Sequence, residues 1–145
     1  MLLEHSADVT AQTNDGSTPL HLASEQGHEE FIPLLLEYGA DATARANDGS
    51  TPLHLASKKG HGRVVYLLHE HNADATAKTN DGSTSLHFAS RRGFEEVVLS
   101  LLEYGADSTA ETTDGLTPLS LGLEWGREAV TYTSRALQLG KLDCK

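Results

Sequence analysis

The chain has 145 residues, 38% of them hydrophobic and only 6% aromatic, a length that fits one compact domain or a short repeat array. Its 21 acidic and 11 basic residues give a formal net charge of -10, which argues against general binding to nucleic acid and against anionic membranes, because both attract basic surfaces. No apolar run approaches the roughly 18–20 residues that a membrane helix needs, and the single cysteine, Cys144, leaves no internal disulfide.

The first residues, Met1-Leu2-Leu3-Glu4-His5, have neither the basic flank nor the apolar stretch of a signal peptide. Cys144 stands too near the end for prenylation, and no Asn-x-Ser/Thr sequon occurs. These features suit a reducing compartment, with the cytoplasm expected and the nucleus as the alternative.

One pattern organises everything that follows. Asn-Asp-Gly-Ser-Thr begins at Asn14, Asn47 and Asn80, and a worn copy, Thr113-Asp114-Gly115-Leu116-Thr117, comes next, always 33 residues on. Residues 14–46 and 47–79 agree at 21 of 33 positions, too many for chance, and a fixed period in this range marks a stacked-repeat protein. Residues 1–13 align with the end of a preceding unit, since Leu2-Leu3-Glu4 corresponds to Leu35-Leu36-Glu37 and Ala7-Asp8 to Ala40-Asp41. The chain is therefore expected to start inside a helix, as a fragment of a longer array would.

In the unit 14–46, Thr18 supplies a capping hydroxyl and Pro19 suits the first helical position. Leu20, Leu22 and Ala23 are expected to form the apolar face of a short helix that Gly27 ends. A second helix is expected from about His28 to Tyr38, with Phe31, Ile32, Leu34 and Leu35 at helical spacing and Gly39 as its stop. Pro33 falls inside it, where it should remove a backbone bond and kink the helix. Ala40 to Asn47 then leads to Asp48-Gly49, a tight-turn signal between extended segments, so a projecting hairpin should follow. The units 47–79 and 80–112 repeat this plan, with Asn72 replacing a helix-ending glycine and Ser85 replacing the proline. In 113–145 the plan decays: Gly122 takes an alanine position, and Thr131, Tyr132 and Thr133 weaken the second helix. That segment reads as a terminal cap with a polar outer side. Neither helix of a unit can bury its face alone, so neighbours must stack.

Thr18-Pro19-Leu20-His21-Leu22-Ala23, Gly27-His28, Leu34-Leu35 and Gly39-Ala40-Asp41 resemble the ankyrin repeat, and so do their counterparts from Thr51 and Thr84. The likeness covers nearly the whole chain. It implies an all-α ankyrin-repeat solenoid in which first helices line a concave face, second helices form the outer face, and hairpin or turn fingers project from one edge. Thr43, Thr76 and Thr109 stand where the family often has an asparagine that an oxygenase modifies, so that modification is not expected.

Eight histidines raise the question of metal or catalysis. His21, His54 and His87 are in phase with the repeat, and stacked helices lie roughly 8–10 Å apart, whereas ligands must come within about 2 Å of one metal. They cannot share an ion; the resemblance implies that they bond the backbone of adjacent loops. His28 and His61, after the helix-ending glycine, also read as structural. His69 and His71 break the pattern and, two residues apart on a helix, face different sides, which suits a weak pH effect better than a metal. Asp15, Asp48, Asp81 and Asp114 are turn residues. With no nucleophile elbow, phosphate loop or zinc spacing, neither an enzyme nor a cofactor is implied.

What differs between the units carries the functional signal. The resemblance implies that two residues at the end of each first helix face the concave surface: Glu25 and Gln26, Lys58 and Lys59, Arg91 and Arg92, Glu124 and Trp125. Four cations thus gather on one face of an acidic chain, and local charge steers partners. They could hold an acidic segment of a partner protein, with Trp125 as an apolar anchor; the plainer reading is a solvated strip balancing nearby Glu residues, with Trp125 packing the cap. The expected function is a non-catalytic protein-protein interaction module, monomeric or part of a larger chain. The alternative is a cytosolic segment of a channel, receptor or enzyme, used for intramolecular docking.

Overall fold

The computed structural model describes residues 8–124. Among them are seven helices: α1 (Pro19–Gln26), α2 (Phe31–Glu37), α3 (Pro52–Lys59), α4 (Gly62–Glu70), α5 (Ser85–Arg92), α6 (Glu95–Glu103) and α7 (Pro118–Glu124). Consecutive pairs α1–α2, α3–α4 and α5–α6 pack side by side. Helices α1, α3, α5 and α7 stack in order as one layer, and α2, α4 and α6 as a second.

Each first helix starts the same way. The hydroxyls of Thr18, Thr51 and Thr84 accept the backbone N–H of His21, His54 and His87. The histidine Nδ1 atoms accept the threonine backbone N–H in return, at 3.1, 2.9 and 3.0 Å. This is a capping box with histidine in the place usually held by Glu or Gln. α5 forms it without proline, so Ser85 costs the helix no start signal. Gly27, Gly60 and Gly93 then close the helices in the left-handed conformation. At Gly27 and Gly60 a side chain is also excluded by contact: an added Cβ would lie 2.7 Å from the His61 ring and 2.9 Å from the Phe94 ring, each contributed by the next unit.

The core repeats with the sequence. Leu20, Leu53 and Leu86 from the first layer are buried, as are Ile32, Val65 and Val98, and Leu35, Leu68 and Leu101, from the second. Each such side chain contributes roughly 1.5–3 kcal/mol on burial, and burial requires the adjacent unit, which is why the units cannot stand alone.

Several sequence expectations need correction. α2 spans Phe31–Glu37 rather than His28 to Tyr38, and Pro33 stands at its third helical position. The N–H groups of a first turn have no intrahelical acceptor, so Pro33 removes no bond there; it delays the start by two residues relative to α4 and α6 instead. Leu22 is 44% exposed and Phe31 40% exposed, so neither belongs to the core. Leu22 lies about 200° around the helix from Leu20, at about 100° per residue. No strand forms at the fingers among the described residues. They are tight turns closed by Thr13 N–H to Ser17 O, Ala46 N–H to Ser50 O, Thr79 N–H to Ser83 O and Thr112 N–H to Leu116 O, at 2.8–2.9 Å. Adjacent fingers are tied by Asn47 N–H to Asp15 O, Asn80 N–H to Asp48 O and Thr113 N–H to Asp81 O, at 2.9–3.0 Å. The Asn47 and Asn80 side-chain amides add a second bond to the finger before. Asn72 takes a φ of 71°, the left-handed stop expected of it. The expectations for residues 1–7 and for the segment after Glu124 lie outside the described residues.

Candidate functional site

The last turns of the first helices carry the residues that vary from unit to unit. Glu25 and Gln26 end α1, Lys58 and Lys59 end α3, and Arg91 and Arg92 end α5. Because α1, α3 and α5 stack in order, these three pairs occupy one row along the array. Gln26, Lys59, Arg91 and Arg92 are exposed, while Glu25 and Lys58 are half-buried. Glu124 is the last residue of α7, and Trp125 lies outside the described residues. The cations also suit their helices, since positive charge at a helix C-terminus is worth about 0.3–1 kcal/mol. α1 ends in Glu25 and Gln26 instead and is formed no less completely, so helix formation does not require the cations.

Two clefts lie between this row and the fingers. One, of about 340 Å³, is lined by Asp48, Ser50, Leu55, Lys58, Asn80, Asp81 and Phe88 among others. The second, of about 300 Å³, is lined by Asp15, Ser17, Glu25, Asn47, Asp48, Leu55 and Lys58 among others. Asp48, Ser50, Leu55 and Lys58 line both, so the clefts join into a groove along the array. The Lys58 Nζ sits 5.9 Å from the centre of the Phe88 ring, within cation–π reach. The Phe88 ring in turn meets the His54 ring edge-on at 5.8 Å.

The finger carboxylates are built into their turns. Thr13 and Thr79 donate their hydroxyls to Asp15 and Asp81, and these bonds, ahead of the smaller contributions, hold both carboxyls below the ordinary range. Ser50 N–H donates to Asp48 Oδ1 at 2.9 Å.

The in-phase histidines pin their helices to backbone carbonyls, His21 and His87 to the next unit and His54 within its own. Since a backbone N–H can only donate, Nδ1 of His21, His54 and His87 must be the bare nitrogen and Nε2 must carry the proton. Nε2 donates to the carbonyls of Ser50, Ala77 and Leu116, each at 2.9 Å. Protonation would turn Nδ1 into a donor facing a donor. Burial adds to that cost, holding His54 down to about 4 and His87 below its ordinary value. His61 Nε2 donates to Glu25 O at 3.0 Å, whereas His28 is exposed and meets Phe31 edge-on. His69 stacks flat on Tyr104 with ring centres 3.7 Å apart, whereas His71 lies just past the end of α4 and bonds back to Leu67 O. Among the described residues no three His, Cys, Asp or Glu side chains group as metal ligands would, and no helix is long and apolar enough to cross a membrane.

Sequence reasoning missed the floor of the groove. Leu55 and Phe88 line the clefts half-buried, and Leu22, at the same repeat position in the first unit, is exposed. Their place on the helix, away from the buried Leu20, Ala23 and Ser24 face, was the available signal. Compared with known families, the chain matches the model for ankyrin repeats in three overlapping copies, at residues 1–79, 41–112 and 63–132. No curated protein matches it.

Proposed function

The chain belongs to the ankyrin repeat family, whose members generally serve as protein-protein interaction modules, and on that premise we propose that its first-helix groove is a non-catalytic binding surface for an acidic segment of a partner protein. The observation that carries this reading is the row formed by Lys58, Lys59, Arg91 and Arg92 on two adjacent helix ends, in a chain whose net charge is -10. Arginine can hold a carboxylate with two parallel bonds. Lys58, spread over Phe88, presents a charge beside an apolar surface. A stack locked by capping boxes, finger ties and histidine bridges is already in its binding shape, so little conformational entropy is lost on association.

In this reading residues 14–46, 47–79 and 80–112 are whole repeats, 1–13 ends an earlier one, and 113–145 caps a single array, with Trp125 at the end of the row. The partner is a protein rather than nucleic acid or membrane, the chain works as a monomer or as part of a larger one, no cofactor takes part, and the setting is cytoplasmic. Affinity capture from the native cell tests it. The 145-residue chain is compared with a Lys58→Glu, Lys59→Glu, Arg91→Glu, Arg92→Glu variant at two salt concentrations, with circular dichroism confirming that both fold. Capture should fall with charge reversal and with added salt. Unchanged capture would remove the row from the site.

A further inference from the structure

The two walls of the groove have opposite charge. Along one run the finger carboxylates Asp15, Asp48 and Asp81, in phase with the repeat. Along the other, Lys58 and Glu25 line the groove, Glu25 reversing the sign in the first unit, while Lys59 and Arg92 stand exposed at the ends of α3 and α5 beside it. Each aspartate is fixed to its own finger through Oδ1. Between the walls Leu55 and Phe88 line the groove, and Leu22 holds the same repeat position in the first unit, exposed, so each unit offers one apolar contact.

The spacing of that floor selects the shape of what can lie on it. Packed helices are about 8–10 Å apart, so successive floor residues recur at about that interval. An α-helix returns to nearly the same face after seven residues, which is about 10.5 Å. An extended strand covers about 10 Å in three residues, and an odd step turns its side chain to the opposite face. One apolar contact per unit therefore suits a helix laid along the stack.

We propose that the groove takes an amphipathic helix of the partner, with an apolar side chain at every seventh position over Leu22, Leu55 and Phe88, acidic side chains along the flank facing Lys58, Lys59 and Arg92, and basic side chains along the flank facing Asp15, Asp48 and Asp81. This rests on the reading of the groove as the binding surface and adds the conformation and charge pattern of the segment bound. A purely acidic segment would satisfy one wall and be repelled by the other, because like charges brought together across an interface suppress a wrong partner.

Three stapled helical peptides of about three heptads each test the proposal by fluorescence anisotropy against the full 145-residue chain. The first carries acidic and basic residues on separate flanks. The second has the same composition with the charges intermixed, and the third is acidic on both flanks. The first should bind about tenfold tighter than either of the others. The pair Asp48→Asn and Asp81→Asn keeps the Oδ1 acceptors and removes the charge; it should abolish the advantage of the first peptide over the third without weakening the third. Lys58→Glu, Lys59→Glu and Arg92→Glu together should weaken both. Equal affinity of the first and second peptides, no saturable binding by the first, or indifference to the Asp→Asn pair overturns the proposal. The binding surface itself fails on a different result, namely capture of the native partner that survives charge reversal.

Discussion

Replacing His54 by Gln separates the structural work of this histidine from its charge. Gln is a regular third-position partner in a capping box, so its carbonyl oxygen can take the Thr51 N–H and its amide can reach the Ala77 carbonyl, the two partners His54 now has. What it lacks is a titrating nitrogen. In the folded chain burial, ahead of the other influences, holds His54 down to about 4 against 6.5 when exposed. Between those values the unfolded chain binds the extra proton and the folded one does not, so stability falls as pH falls. The contribution is complete above 6.5 and fully lost once pH is below about 4. At about 1.4 kcal/mol per pH unit the whole window is worth about 3 kcal/mol, and about 2 kcal/mol of it is gone by about pH 5. His87 slopes in the same direction but is present in both proteins and cancels. The depressed carboxyls of Asp41, Asp74 and Asp107, held down by their Thr neighbours, act elsewhere: their stabilisation is lost only as pH drops below 3.8. Urea unfolding followed by circular dichroism at about pH 7.5, 6 and 5 is the assay. The Gln variant should lose about 2 kcal/mol less than the parent on going to about pH 5. Parallel losses in the two proteins would show that His54 is not the buried neutral bridge described here.

Other perturbations read other parts of the stack. The hydroxyls of Ser24, Ser57 and Ser90 are buried without a hydrogen-bond partner, and an unsatisfied buried hydroxyl costs about 1–3 kcal/mol; Ser57→Ala should raise the urea midpoint with an unchanged slope, and a lowered midpoint would contradict this. Gly60→Ala combines a φ of 78° with a Cβ 2.9 Å from the Phe94 ring, so it should destabilise by at least about 1 kcal/mol, more than Gly39→Ala, where the added Cβ meets nothing within 4 Å. Asn80→Ala removes the amide bond to Asn47 O and should speed amide hydrogen exchange at the finger tips 47–49 and 80–82 while leaving the helix cores protected; uniform exchange across all three units would count against finger-to-finger ties.

The fold was legible in the sequence because every unit repeats the same few physical instructions. Thr18 before Pro19, Gly27 after the helix, and Asp15-Gly16 at the turn each act within a few residues, and the period of 33 then multiplies them. Pro33 was misread because its effect depends on where the helix starts: α2 begins at Phe31 rather than near His28, which puts Pro33 in the first turn. Leu22 was misread because an apolar residue in a short helix was assumed to face inward, although its angle from Leu20 already pointed away. The histidine capping box was half legible: the recurrence of His21, His54 and His87 signalled a role between units, but the Nδ1 bond to the preceding threonine needs the three-dimensional start of the helix. For the candidate site, the cation row followed from position in the repeat. The opposing wall of Asp15, Asp48 and Asp81 did not, since those residues were fully explained by the turn and only stacking brings them across from Lys58.

The most direct test of the binding surface is zero-length carbodiimide cross-linking of the captured complex, which joins lysine amines to carboxyl groups in contact with them, followed by mass-spectrometric mapping of the joined peptides. The expected products link Lys58 or Lys59 to Asp or Glu residues of the partner. Products confined to Lys78, Lys141 or Lys145, in a complex that forms normally, would place the partner elsewhere and contradict the groove as its seat.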